Sequence, residues 1–222
     1  VRSSVVSHAK TLGYIPNSAR APIANINVTL NNFGNLSSAT IPLGTVFTTT
    51  INDVNYQFVT IADHTTQVSS GVLSFTNIPI YEGTYVTNRY TVNTQNVNQK
   101  FYVNDENGDT TTLVVDVFEN SSSTTSTTFV QALDSTQVKA DSDVYYLQEG
   151  ADGKFEIYFG DGVVGKALSD GNIVRLRYVV TNKTAANNAN TFTTSASISG
   201  VTDITTLTVS NASGGAERES IE

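Results

Sequence analysis

The stretch that decides the fold class is residues 144–181, which read VYYLQEGADGKFEIYFGDGVVGKALSDGNIVRLRYVVT. It contains three strong strand patterns, at Val144–Glu149, Lys154–Phe159 and Ile173–Thr181. Their β-branched and aromatic residues favour strands, and the Asp-Gly pairs between them favour tight turns. Strands of this length, with turns every 8–12 residues or so, predict an antiparallel sandwich or small barrel.

The same alternating pattern extends towards the N-terminus. Ile26, Val28 and Leu30 alternate with polar residues, which predicts a half-buried strand. Further strands are predicted at 72–77 and 84–92, with one hairpin of 45–51 and 54–61 around Asn52-Asp53 and another of 101–103 and 110–118 around residues 104–109. Strands do not alternate with helices, so a parallel nucleotide-binding sheet is not expected.

The termini carry helix signals instead. Val5, Val6, Ala9 and Leu12 share one face of a helix that Gly13 would end. Acidic residues after Ser213-Gly214-Gly215 favour a second helix start near the C-terminus. We therefore predict a mainly β protein, with two antiparallel sandwich or barrel-like units inserted between short helical segments of a larger chain. The predicted divisions are 1–22 (the end of a helical core segment and a linker), 23–98 and 99–183 (two β domains) and 184–222 (a return into the helical core).

The composition excludes several classes of function. Only 14% of the 222 residues are charged, against roughly 25% in ordinary domains, while Thr (32), Ser (22) and Asn (22) are abundant. The absence of Cys excludes disulfides, zinc–thiolate sites and a Cys nucleophile. A net charge of −8 argues against nucleic acid as a partner. No apolar run approaches the ~18 residues of a membrane span.

The candidate catalytic residues have simpler explanations. His8 and His64 are candidates for a Ser–His–Asp hydrolytic triad, but the sequence has no Gly-x-Ser-x-Gly motif around any serine. Carboxylates are dense between residues 141 and 161, but Asp152, Asp161 and Asp170 each precede a Gly, which is typical of turns. We therefore expect no catalytic residues.

Cofactor and metal motifs are equally weak. The oxygen-rich segment 104–109 does not fit the ligand frame of a calcium loop, so a hairpin tip is the preferred interpretation. Residues 160–165 match G-x-G-x-x-G, but no helix-forming segment follows to hold a pyrophosphate. We expect neither a cofactor nor a metal site.

Three segments in order carry a family resemblance. They are LGYIPNSARAP at 12–22, FGDGVVGKALSDG at 159–171 and GGAERES at 214–220. Together they resemble the helix-to-β entry, the FGDG hairpin and the GG-x-x-E return of the baseplate J-like family, the wedge components of contractile phage tails. One departure is Thr181-Asn182-Lys183-Thr184, which stands where the family has a glycine-rich turn.

The resemblance implies a structural role without catalytic residues. Wedge proteins, among them the ring-forming inner wedge subunit, occur in several copies around a tail hub and form a ring that changes shape when the sheath contracts. The implied partners are other copies of this chain and neighbouring wedge proteins, as a homo-oligomer within a hetero-oligomeric ring, with no nucleic acid and no membrane. The implied location is the virion tail baseplate, after assembly in the host cytoplasm.

Gly13, Gly214 and Gly215 are the candidate hinge or close-approach positions, with ordinary turn glycines as the alternative. Two other functions stay open. A receptor- or carbohydrate-binding β module of a tail fibre or adhesin would need an exposed aromatic cluster at a loop edge. A polysaccharide-active enzyme would need carboxylates about 5–9.5 Å apart in a cleft.

Overall fold

The computed structural model describes residues 14–96, 99–150 and 152–220. The described residues are 50% strand and 3% helix, which confirms the mainly β prediction. The two larger sheets are a half-barrel and a nearly closed, barrel-like sheet. The helix predicted from Val5 to Gly13 lies outside the described residues. Across the described ranges, no helix is long and apolar enough to cross a membrane.

Fourteen strands and two short 3-10 helices are described. The strands are β1 (Ile23–Leu30), β2 (Ser38–Ile41), β3 (Val46–Ile51), β4 (Val54–Val59), β5 (His64–Gln67), β6 (Leu73–Glu82), β7 (Thr84–Thr91), β8 (Phe101–Val103), β9 (Gly108–Phe118), β10 (Ser126–Gln131), β11 (Val144–Glu149), β12 (Phe155–Phe159), β13 (Ile173–Val180) and β14 (Ile204–Ser213). The 3-10 helices span Ser135–Gln137 and Lys183–Ala186.

The first compact unit, the five-stranded unit, consists of residues 19–85 and 179–217. Its main sheet has the order β14-β1-β6-β4-β3, and β2 pairs with β5 beside it. Alternate residues of β1 are buried from Ala24 to Leu30, as the sequence pattern predicts. The rings of Phe58 and Phe192 meet edge to face, with centroids 4.8 Å apart. The core is therefore built by residues distant in sequence.

The second compact unit, the seven-stranded unit, is formed mainly by residues 86–178. Its strand order is β7-β13-β9-β10-β11-β12-β8. Strand β10 pairs in parallel with β11, whereas the pairs β9–β10, β11–β12 and β8–β12 are antiparallel. Phe101, Phe129 and Phe159 pack edge to face in its interior, with centroids 5.4–5.5 Å apart. The three strands predicted in residues 144–181 are all present here.

Hairpin predictions had mixed outcomes. The hairpin of β3 and β4 is confirmed, with Asn52 and Asp53 both at positive φ, as a type I′ turn requires. The hairpin predicted from residues 101–103 and 110–118 is wrong, because β8 pairs with β12 instead. Asp105 accepts the Asn107 N–H at 2.9 Å and makes a genuine turn. Turn chemistry alone does not decide which strands pair across a turn.

Two strand boundaries also differ from prediction. Residues 126–131 form β10, a strand that is absent from the predicted set. Residues 73–82 form one strand, although Asn77 and Pro79 favoured a break. Asn77 has a φ of 55° and donates its N–H to Asn27 Oδ1 at 2.8 Å, at an irregularity in the pairing with β1. A bulge thus absorbs the residues that look like strand breakers.

Strand β14 lies in the segment that the sequence assigned to a return into a helical core. It pairs with β1 along its length, so residues 179–217 complete the same unit as residues 19–85. Its inward side chains include Thr206 and Thr208, whose hydroxyls donate to the Phe192 and Asn190 carbonyls. Its outward side carries Leu207, which is 66% exposed. This inverted polarity hides the strand from a hydrophobic-pattern search.

The expected helix start near the C-terminus does not occur among residues 214–220. Ala216 instead forms an isolated antiparallel bridge with Arg20. Acidic residues that favour a helix start are used here as ion-pair and hydrogen-bond partners, as described below.

Candidate functional site

The FGDG segment forms a compact loop after β12. Asp161 Oδ1 accepts the N–H groups of Val163 at 2.9 Å and Val164 at 3.0 Å, and these bonds lower the pKa of that carboxyl, that from Val164 most. A Cβ on Gly160 would collide with the backbone of Gly165. The motif residues therefore specify a tight turn by hydrogen bonding and close backbone approach.

Three contacts hold this loop against the segment before β11. The Gly165 N–H donates to the Lys139 carbonyl at 3.0 Å, and the Lys166 N–H donates to the Ser142 carbonyl at 2.9 Å. The Lys166 ammonium also pairs with Asp143 at 3.0 Å. The loop is thus fixed at both its backbone and its side chains.

This fixed loop presents an apolar surface. Val163 is 72% exposed and Val164 is 40% exposed. Beside them, the rings of Tyr146 and Tyr158 stack with centroids 5.1 Å apart and an interplanar angle of 18°. Exposed aromatic and aliphatic side chains on a rigid support are typical of protein interfaces. We call these four residues the tyrosine–valine patch.

Tyr158 of the patch remains protonated at neutral pH. Burial first, and then the neighbouring Tyr146 and Glu156, raise the pKa of Tyr158 above its ordinary value. The Tyr146 hydroxyl lies 3.5 Å from the Val164 carbonyl oxygen, which joins the aromatic pair to the loop. This patch was not predicted from the sequence. Tyr146 and Tyr158 occupy outward positions of two strands, and they become neighbours only once β11 pairs with β12.

The C-terminal GGAERES segment is anchored by its charged residues. In the seven-stranded unit, Arg218 pairs with the buried Glu149 at 3.0 Å, donates to the Gly153 carbonyl and lies over the Phe155 ring at 5.1 Å. Glu219 accepts the backbone N–H of Asn17 at 2.9 Å. The charged residues of this segment therefore fix it to the rest of the seven-stranded unit.

The glycines of the same segment lie in the five-stranded unit. Gly214 has a φ of +85° and open space around it. A Cβ on Gly215 would collide with the Lys183 carbonyl and would lie 2.8 Å from Pro22 Cδ. Gly13, the third predicted position, lies outside the described residues. A hinge role for any of the three stays a prediction.

The departure from the family pattern at Thr181-Asn182 has a structural use. Glu82 is fully buried, and its carboxylate accepts the Thr181 hydroxyl at 2.6 Å, the Asn182 N–H at 2.8 Å and the Asn182 side-chain amide at 2.7 Å. All three residues belong to the five-stranded unit. The polar turn therefore satisfies a buried acid that a glycine-rich turn would satisfy only in part.

The carboxylates considered as catalytic candidates are engaged locally. Asp152 accepts the Lys154 N–H at 3.1 Å, and Asp170 accepts the Thr94 N–H at 3.0 Å. Glu156 pairs with Lys100 at 2.6 Å. Asp161, as above, has a lowered pKa, whereas a general acid needs a raised one. These contacts are typical of turns and strand surfaces.

The candidate calcium loop and His64 are placed as follows. Residues 104–107 line an open polar depression of about 460 Å³ together with Asp152, Lys154 and Arg218. In the described part of the chain, no group of three or more acidic or histidine side chains is arranged to hold a metal ion. His64 begins β5, and burial lowers its pKa despite the adjacent Asp63. His8 lies outside the described residues.

Comparison with known proteins identifies the seven-stranded unit. Residues 86–192 match the family model of the bacteriophage baseplate wedge protein gp6, third domain. This match confirms the resemblance to baseplate wedge proteins, and it assigns the chain a structural role in the tail baseplate of the virion, in assembly with other baseplate subunits. The curated protein sequences compared with the chain gave no match.

Proposed function

Since the chain contains a third domain of the baseplate wedge protein gp6 family, we propose that it is a wedge subunit that makes contacts between subunits of the baseplate ring. It takes part in the rearrangement of that ring when the sheath contracts. Its partners are further copies of this chain and neighbouring wedge proteins, and assembly occurs in the host cytoplasm. It has no catalytic step to perform.

The observation that carries the proposal is the tyrosine–valine patch. It lies within the matched residues, and Val163 at 72% exposure leaves an apolar side chain in water on a loop fixed by several hydrogen bonds. Exposure of these apolar side chains to water is unfavourable, and a partner that covers them removes this cost. An interface in the ring supplies that partner.

The internal structure of each unit favours movement at interfaces. Buried polar groups such as Glu82 and Asp116 are hydrogen-bonded within their own unit. Breaking such networks costs several kcal/mol (of order 3–5), whereas exchanging one surface contact for another costs much less. The ring therefore changes shape by exchanging contacts between intact β units.

A single substitution in the patch tests this function. In phage carrying Val163→Asp, we expect the protein to fold but to enter purified tails at a reduced level, because a charge replaces an apolar contact. Val54→Asp is the matched control, since Val54 is 49% exposed on the β3–β4 hairpin. Quantitative mass spectrometry of purified tails measures incorporation. Equal incorporation of both variants contradicts the role of the patch, and absence of the wild-type chain from tails contradicts the function.

The same patch also favours a second candidate, the receptor- or carbohydrate-binding module. A stacked pair of tyrosines at a loop edge is the kind of platform on which sugar rings bind. Binding of the isolated protein to a glycan array, lost in Tyr158→Ser and retained in Val54→Asp, favours this alternative. We expect no such signal.

A further inference from the structure

Half of the arginines of this chain gather on one face of the seven-stranded unit. The chain has six arginines, of which Arg89 lies on β7 while Arg175 and Arg177 lie on β13. On β13 they alternate with the fully buried Val174 and Leu176, so they point to the opposite, outer face of the sheet. We call Arg89, Arg175 and Arg177 the arginine cluster.

One buried carboxylate lies beneath this cluster. Asp116 Oδ2 accepts Arg175 Nη2 at 2.9 Å and Arg177 Nη2 at 2.8 Å, and Oδ1 accepts the Thr128 hydroxyl at 2.7 Å. The side chain of Asp116 is 2% exposed, whereas those of Arg175 and Arg177 are 26% and 19% exposed. One guanidinium would neutralise Asp116, so the second leaves an excess positive charge.

The third arginine adds to this excess. The guanidinium carbons of Arg89 and Arg175 lie 5.1 Å and 4.7 Å from the centroid of the Phe118 ring, which holds them by cation–π attraction. Among the described residues, Arg89 has no carboxylate within ion-pair distance. Three guanidiniums against one carboxylate leave about two uncompensated positive charges at one place on an acidic protein.

A hydrogen-bond donor in the cluster is also left over. Arg177 Nε is buried, and no described residue accepts a hydrogen bond from it. A buried donor without an acceptor costs about 1–3 kcal/mol, and a charged one costs more. A planar guanidinium presents paired donors that fit a carboxylate. The exposed guanidinium of Arg89 therefore offers such paired donors to a further carboxylate, whereas the buried Arg177 Nε is reached only after local reorganisation.

We propose that the arginine cluster docks an acidic segment of a neighbouring protein chain. The inference rests on the proposed function, since the ring provides such a neighbour. Carboxylates are favoured over nucleic-acid phosphates because the chain as a whole carries a charge of −8, which repels an extended polyanion, while a short acidic segment meets only the local positive face. Ion pairing here sets the orientation of the neighbour relative to the sheet.

A titration of the purified full chain tests the docking site directly. The probes are a short acetylated poly-glutamate peptide, its glutamine counterpart and a DNA duplex of similar length, each added at low salt and followed by amide NMR shifts. We expect the glutamate peptide alone to bind, with the largest shifts in β9 and β13. Arg89→Glu weakens this binding at least about tenfold, whereas the matched charge reversal Lys139→Glu, at an exposed lysine, leaves it within about twofold.

Three results of this titration would overturn the proposed docking site. Absence of binding by the wild-type chain, equal binding by Arg89→Glu, or tighter binding of DNA than of the peptide overturns the inference. Arg89→Glu is the deciding variant because the ion pairs of Asp116 are made by Arg175 and Arg177, so this substitution leaves them in place. The titration is independent of tail composition, so a wild-type chain found in purified tails without peptide binding would refute the docking site and leave the proposed function standing.

Discussion

At the scale of single residues, the buried carboxylate of Glu82 stabilises the five-stranded unit through its hydrogen bonds. Its two oxygens accept three hydrogen bonds from Thr181 and Asn182. Glu82→Gln replaces one acceptor by an NH₂ donor that faces other donors, so we expect the free energy of unfolding to fall by about 2 kcal/mol. Urea denaturation measures the change. The exposed Glu106→Gln is the control, and an equal effect of both substitutions would refute this account.

Substitution of either glycine of the C-terminal segment by alanine is expected to destabilise the protein, for a different reason at each position. Gly214→Ala places a side chain in open space at a φ of +85°, which costs about 1 kcal/mol in backbone strain. Gly215→Ala forces a Cβ against the Lys183 carbonyl and the Pro22 ring, which costs about 1–3 kcal/mol in overpacking. Thermal unfolding of both variants separates the two causes. A larger loss for Gly214→Ala would show that close approach at Gly215 matters little.

At the scale of elements, Asp116 joins β9 to β10 and β13 and makes their packing depend on pH. Burial acts to raise its pKa, but the Thr128 hydroxyl and the two guanidiniums outweigh burial and hold that pKa below its ordinary value. A carboxyl with a lowered folded-state pKa stabilises the fold above its unfolded-state pKa of about 3.9 and loses that contribution as pH falls through the folded-state value.

Asp116→Asn is therefore expected to destabilise the protein by about 3 kcal/mol at pH 7, because two arginines lose their counter-charge. The difference in unfolding free energy between the wild type and this variant should shrink as pH falls below about 4. Urea denaturation at pH 7 and near pH 3 measures it. A difference that stays constant with pH would mean that ionisation of Asp116 does not contribute.

The elements also show what sequence could and could not predict. Strands β1, β11, β12 and β13 follow period-two patterns because one face of each packs on a core, and those patterns are local. Strand β14 was missed because its inward threonines bond to carbonyls while Leu207 faces water. The tyrosine–valine patch depends on the pairing of Tyr146 with Tyr158, and pairing is a long-range property that no window of sequence contains.

At the scale of the whole molecule, the division into units gives a test by dissection. Residues 179–217 supply β14 and the buried Phe192 to the sheet formed by residues 19–85. A chain that joins residues 19–85 to residues 179–217 through a short Gly/Ser linker is therefore expected to fold. Residues 23–98 alone, the division predicted from sequence, lack an edge strand and core residues and should remain unfolded. Dispersed amide NMR signals from the second fragment, or their absence from the first, would contradict this division.

The central claim is that this chain holds neighbouring subunits in the baseplate through the tyrosine–valine patch. Site-specific photo-cross-linking in purified tails tests it most directly, with a photoreactive phenylalanine analogue in place of Tyr158 and, as a control, in place of the exposed Asn55. The account predicts cross-links from position 158 to another baseplate chain or a second copy of this chain, and none from position 55. Cross-links within the same chain alone at position 158, in tails that contain the protein, would contradict it.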